Sequence, residues 1–81
     1  MNDIRIRRLI MENLPAVPNG KVSKLFLKIS VLQDASGFAQ DITEDDFERN
    51  LSALNSLQAL VIFEDNYIQA TACGLRGFNL T

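Results

Sequence analysis

The spacing of apolar positions changes period along the chain. Near the N-terminus Ile6, Leu9, Ile10 and Leu14 recur at intervals of three and four, with Arg5, Arg8 and Glu12 on the opposite side. This predicts a helix over about residues 4–14, capped by Asp3 and ended by Pro15, Pro18 and an Asn19-Gly20 turn. Residues 21–33 carry two patterns at once. Val22, Leu25, Phe26, Ile29 and Leu32 form a helical stripe, whereas Leu25, Leu27, Ile29 and Val31 alternate as in a strand. The length of the run favours a helix, with Asn19 as its N-cap. Asp34 to Asp41 reads as a loop with Ser36-Gly37 at its tip.

The sharpest local signal follows. Thr43-Glu44-Asp45-Asp46 has the form of a capping box with Asp in place of Glu or Gln, and Ile42 and Phe47 are spaced as a hydrophobic staple around it. Three acids in the first turn complement the helix dipole. The predicted helix covers 44–57, its inner face formed by Phe47, Leu51, Leu54 and Leu57 or Gln58. The period then falls to two, giving strands over about 60–64 and 67–72. Between them Glu64-Asp65-Asn66 is a tight turn, in which Asp-Asn tolerates the positive φ of a two-residue hairpin. Phe63 and Tyr67 flank it and are expected to cover the inner face of the hairpin. Leu75, Phe78 and Leu80 fold back as a closing segment. The reading is α+β in the order α-α-α-β-β, one small domain over 1–81.

Composition narrows the chemistry. The chain has 81 residues, 47% of them hydrophobic, which suffices for one small core and excludes a disordered or fibrous segment. With no His and one Cys, a structural zinc site within the chain, a His-dependent triad and an internal disulfide are excluded. Cys73 lacks a partner base and reads as a small half-buried side chain in a reducing compartment. No apolar run approaches a membrane span, and the arginines among Ile4 to Met11 do not fit a signal peptide, so a cytoplasmic protein is expected. The acids Asp41, Glu44, Asp45 and Asp46 lack the alternation and central Gly of a calcium loop and read as capping. No catalytic, cofactor or metal residue is assigned.

Charge is divided along the chain. The net charge is −2, but residues 1–28 hold six cations against two acids, and residues 29–81 hold two cations against eight acids. Residues 44–57 hold four acids against Arg49 alone.

The stretch from Phe47 to Val61 (Phe-Glu-Arg-Asn-Leu-Ser-Ala-Leu-Asn-Ser-Leu-Gln-Ala-Leu-Val) resembles the third helix and first wing strand of winged-helix regulators. Tyr67 to Gly74 resembles their second wing strand with its Thr-x-x-Gly exit, and the likeness covers roughly residues 4–74. The chain departs from the pattern at Ala59, where those families usually have Gly. More narrowly it is similar to small winged-helix-like proteins of unknown function from Mu-like phages and prophages, which share the Ala/Pro-rich turn and the Leu-Val…Ala-Thr…Gly ending. The resemblance implies a small non-enzymatic winged-helix domain, a phage- or prophage-type regulatory protein contacting double-stranded DNA, with a protein-interaction module whose acidic third helix does not bind DNA as the close alternative.

In the DNA-binding mode the third helix enters the major groove and the wing touches the backbone. Arg5, Arg7, Arg8, Lys21, Lys24, Lys28, Arg49, Ser52 and Asn55 are then the candidate contacts to nucleic acid or to an acidic partner. Glu44, Asp45, Glu48, Glu64 and Asp65 form the candidate acidic interaction face, which opposes a polyanion on the usual DNA side. A homodimer would use helix one or the tail Leu75 to Leu80.

Overall fold

The computed structural model describes residues 3–14, 20–37 and 42–77. Within them the chain is α+β, with four helices and a three-stranded antiparallel sheet. In chain order the elements are α1 (Asp3–Glu12), β1 (Val22–Ser23), α2 (Lys24–Gly37), α3 (Glu44–Ser56), β2 (Leu60–Ile62), β3 (Tyr67–Ala70) and α4 (Ala72–Gly77).

The capping box forms as expected. Thr43 Oγ1 accepts from the Asp46 amide at 3.1 Å, and Asp46 Oδ2 accepts from the Thr43 amide at 3.3 Å. Ile42 and Phe47 both lie in the core. The far end of α3 is a Schellman motif. Gln58 sits in the left-handed region at φ 61, its amide bonds Asn55 O at 3.1 Å, and the Ala59 amide bonds Leu54 O at 2.9 Å. The backbone position that favours Gly is thus Gln58, one residue before Ala59. Leu57 and Gln58 are exposed beyond the end of the helix, so the inner face of α3 stops at Leu54.

The second helix differs from expectation at both ends. Val22 and Ser23 are extended and pair with Ile68 and Tyr67 of β3, adding a strand to the expected hairpin and giving the order β1-β3-β2. Ser23 then caps α2, its Oγ accepting from the Phe26 amide at 3.1 Å, so the helix begins at Lys24 rather than at 21. The expected cap, Asn19, and the prolines before it lie outside the described residues. The helix continues to Gly37, through residues expected to form a loop, because Ala35 still has the core to pack against.

The buried face of α2 also differs. Leu27, Val31 and Ala35 enter the core, while Leu25, Phe26 and Ile29 of the expected stripe are 63, 60 and 48% exposed. In a helix that is apolar on both sides, periodicity does not say which side turns inward.

In the hairpin, β2 and β3 pair Leu60 with Ala70, Val61 with Gln69 and Ile62 with Ile68. The turn has three residues, not two. The Asn66 amide bonds Phe63 O at 3.0 Å, and Asn66 alone is left-handed at φ 62. Ile68 and Leu60 point inward, and the alternation of the strands puts Phe63 and Tyr67 on the outer face instead of the inner one.

The closing segment is α4, which buries Leu75; Phe78 and Leu80 lie outside the described residues. Cys73 is exposed on it rather than half-buried, because Gly74 and Leu75 take the inward positions. Thr71 locks α4 to the end of α3. Its hydroxyl donates to Gln58 O at 2.6 Å and accepts from the Gly74 amide at 3.0 Å, while its own amide bonds Ala59 O at 3.1 Å. The approach is so close that a Cβ on Gly74 would overlap the Ala59 carbonyl.

All of these elements meet in one core. It joins Ile6, Leu9, Ile10, Met11 and Leu14 beside α1 to the inner faces of α2 and α3 and to Leu60, Ile68 and Leu75.

Candidate interaction surface

The charged side chains of α2 and α3 reach one another. Lys24 Nζ is 2.9 Å from Glu48 Oε2, and Lys28 Nζ is 4.0 Å from Glu44 Oε2. The candidate basic contacts of α2 and the candidate acidic face of α3 are therefore one surface, not two. Where the seam meets the hairpin turn it opens into a cleft of about 290 Å³, walled by Lys24, Lys28, Glu48, Asp65 and Asn66, with Leu25 as its apolar side. The start of α2 is held to that turn by the Lys24 amide bonding Asn66 O at 2.8 Å.

The arginines of the first helix are also engaged. Arg8 Nε pairs with Glu12 Oε1 at 2.9 Å along the helix. Arg7 Nε donates to Asn50 Oδ1 at 3.0 Å, linking α1 to α3. Arg5 is on the exposed side of α1. Lys21 Nζ sits 4.1 Å from the centre of the Phe63 ring, a cation–π contact on the outer face of the hairpin.

Arg49 is drawn back toward α1. Its Nη2 donates to Asp3 Oδ1 at 2.8 Å and lies 3.1 Å from Asp46 Oδ1. The hydrogen bond from Arg49, followed by one from Asn50, holds the Asp3 carboxyl below its usual 3.8. The Thr43 amide in the capping box does the same for Asp46, and the Asp3 carboxylate raises Arg49 above the ordinary guanidinium value. Asp3, expected to cap the first helix, instead lies within it and ties it to α3.

Asn50 is the residue that sequence reasoning missed. It is fully buried, and its Nδ2 donates to Asp46 O at 2.9 Å and to Asp3 Oδ1 at 3.2 Å while Oδ1 takes the Arg7 bond. The signal was present, since Asn50 falls on the same face as Phe47, Leu51 and Leu54, where an amide must find partners. No buried side-chain polar atom among the described residues lacks a hydrogen bond.

Of the remaining candidates, Ser52 and Asn55 are exposed on α3. Asp45, Glu64 and Asp65 are exposed and carry no ion pair among the described residues. Asp65 Oδ1 accepts from the Tyr67 amide at 3.4 Å. Among the described residues no group of His, Cys, Asp and Glu is placed to hold a metal ion, and no helix is long and apolar enough to cross a membrane. Comparison with protein-family models, curated proteins and solved structures finds no match to the chain.

Proposed function

We propose that the chain is a non-enzymatic winged-helix domain, cytoplasmic and regulatory, whose contacts are made to a protein rather than to DNA. The observation that carries this reading is the Lys24–Glu48 pair at 2.9 Å, with Lys28 and Glu44 beside it. A phosphate approaching either lysine meets a carboxylate within a few ångströms, so little net positive field remains to attract it. Such exposed pairs are worth only about 0–1 kcal/mol each, so strength is not the obstacle. The obstacle is the local sum of charge, to which Asp45, Glu64 and Asp65 add without compensation. A surface of this kind suits a partner that brings cations of its own.

A second reading, a phage-type regulatory protein contacting double-stranded DNA, is favoured by the succession of three helices and a hairpin and by the exposure of Ser52 and Asn55 on α3. The two are separated by titrating the purified chain with duplex fragments at about 50 and about 200 mM salt. Protein contact predicts no saturable binding at either. Binding at low salt that weakens steeply at high salt, and is lost on reversing Arg5, Arg7 and Arg8, would establish the DNA reading instead.

A further inference from the structure

The cleft beside the hairpin turn presents its carboxylates outward and holds its cations back. The side chains of Lys24 and Lys28 are 33 and 22% exposed, against 44 and 74% for their partners Glu48 and Glu44. Asp65, which lines the cleft from the turn, is exposed and meets no cation among the described residues. Glu64 is exposed next to it. A group entering from solvent therefore meets net negative charge, with each lysine already set against an acid of α3. Leu25 forms the apolar side of the cleft, and Ile29, four residues on, continues that side along the helix. The apolar strip alone would suit many partners, but it ends at a negative cleft, and that charge selects.

We infer that the cleft receives an arginine side chain of a protein partner, with an apolar residue beside that arginine lying along Leu25 and Ile29. The inference rests on the protein-contact reading above and names the chemistry of the contact. Three properties of arginine match the cleft. Its charge complements the uncompensated carboxylate of Asp65. Its guanidinium is less strongly hydrated than an ammonium and brings five donors to walls that offer carboxylate acceptors. Its methylene stem packs on apolar surface while the head reaches polar groups, which suits the adjacency of Leu25 and Asp65. An anionic group has only Lys24 and Lys28 to meet, and both are largely covered and already paired.

The size of the cleft agrees with this occupant. Its volume of about 290 Å³ lies at the bottom of the range of about 300–1,000 Å³ typical of small-molecule pockets, so it has room for one long side chain rather than for a cofactor. The walls also stay open to solvent, so a single arginine binds weakly and its attraction is screened by salt.

The test is NMR titration of the full chain with three blocked peptides: acetyl-Leu-Arg-Leu-amide, acetyl-Gly-Arg-Gly-amide and acetyl-Leu-Glu-Leu-amide. The first is expected to saturate in the low millimolar range, with shifts in the amides of Leu25, Lys28, Glu48, Asp65 and Asn66. The second is expected to bind the same residues several-fold more weakly, and the third not to saturate. Asp65→Asn keeps an acceptor for the Tyr67 amide and so preserves the turn, and it is expected to weaken the first peptide about fivefold. Asp45→Asn makes the same change of charge away from the cleft and is expected to leave binding unchanged. Melting midpoints of the two variants check that each is folded. No saturation by the first peptide, equal binding of the third, shifts centred elsewhere, or equal effects of the two substitutions would each overturn the inference. None of these results touches the protein-contact reading, which fails instead on saturable binding of a DNA duplex.

Discussion

Lys24 Nζ lies 2.9 Å from the carboxylate of Glu48, which joins the basic first part of the chain to its acidic second part. The division of charge along the sequence is therefore resolved in part within the fold. Lys24 and Lys28 meet Glu48 and Glu44 across the α2–α3 seam, and Asp3 meets Arg49 across α1 and α3. Removing the acids should expose what they mask. Glu44→Gln with Glu48→Gln is expected to cost no more than about 1 kcal/mol per pair, because the pairs remain open to solvent. It should also confer a weak, salt-sensitive affinity for duplex DNA that the proposed reading does not expect of the parent chain. Unchanged absence of binding in this variant would show that masking by Glu44 and Glu48 is not what limits the surface.

Asn50 connects the same two helices through its amide. Replacing it with Ala removes the acceptor for Arg7 and a donor to Asp3 and Asp46 O, and opens a small cavity at a fully buried position. A loss of about 2–3 kcal/mol is expected in urea denaturation. A loss within about 0.5 kcal/mol would mean that the amide network adds nothing beyond packing.

The junction of α3, β2 and α4 makes two opposite predictions. Gly74→Ala places a methyl group against the Ala59 carbonyl and is expected to destabilise by about 3 kcal/mol or more. Gln58→Gly relieves a left-handed backbone and is expected to stabilise by about 1 kcal/mol. Thermal and urea denaturation of the pair measures both. Equal and small effects would contradict the close approach of α4 to Ala59.

Acid should weaken the α1–α3 connection. Asp3 and Asp46 are held below the ordinary carboxylate value, so the unfolded chain takes up these protons more readily than the folded one. The stability they contribute is complete above the unfolded range near pH 4 and is lost as pH falls through the depressed folded values. The melting midpoint is expected to hold steady from neutrality to about pH 5 and to decline below about pH 4. Asp3→Asn should decline less steeply, and a parallel decline of the two proteins would refute the assignment.

How much of this could be read from the sequence differs by element. The capping box at Thr43 and Asp46 and the inner residues Phe47, Leu51 and Leu54 were legible because their signals are local: a hydroxyl three residues from its amide, and a spacing of three and four. Strand β1 was not. Two residues have no period of their own, and Val22 and Ser23 are a strand only because Ile68 and Tyr67 lie beside them. The orientation of α2 was hidden for a related reason, since Leu25, Phe26 and Ile29 make as good a stripe as Leu27, Val31 and Ala35, and packing alone chooses between them. The candidate charges were visible individually, but their mutual neutralisation depends on the fold bringing Lys24 and Lys28 of α2 within reach of Glu48 and Glu44 of α3. Asn50 could have been found from its place on the apolar face of α3, though not its three partners.

The claim that Glu48 and Glu44 neutralise Lys24 and Lys28, so that the surface they share offers a polyanion no net attraction, is tested most directly by residue-resolved NMR titration of the intact protein with a duplex at low salt. The account predicts no saturable shifts in the amides of α1, α2 and α3. Shifts that cluster on Lys24, Lys28, Ser52 and Asn55 and saturate with added duplex would contradict it.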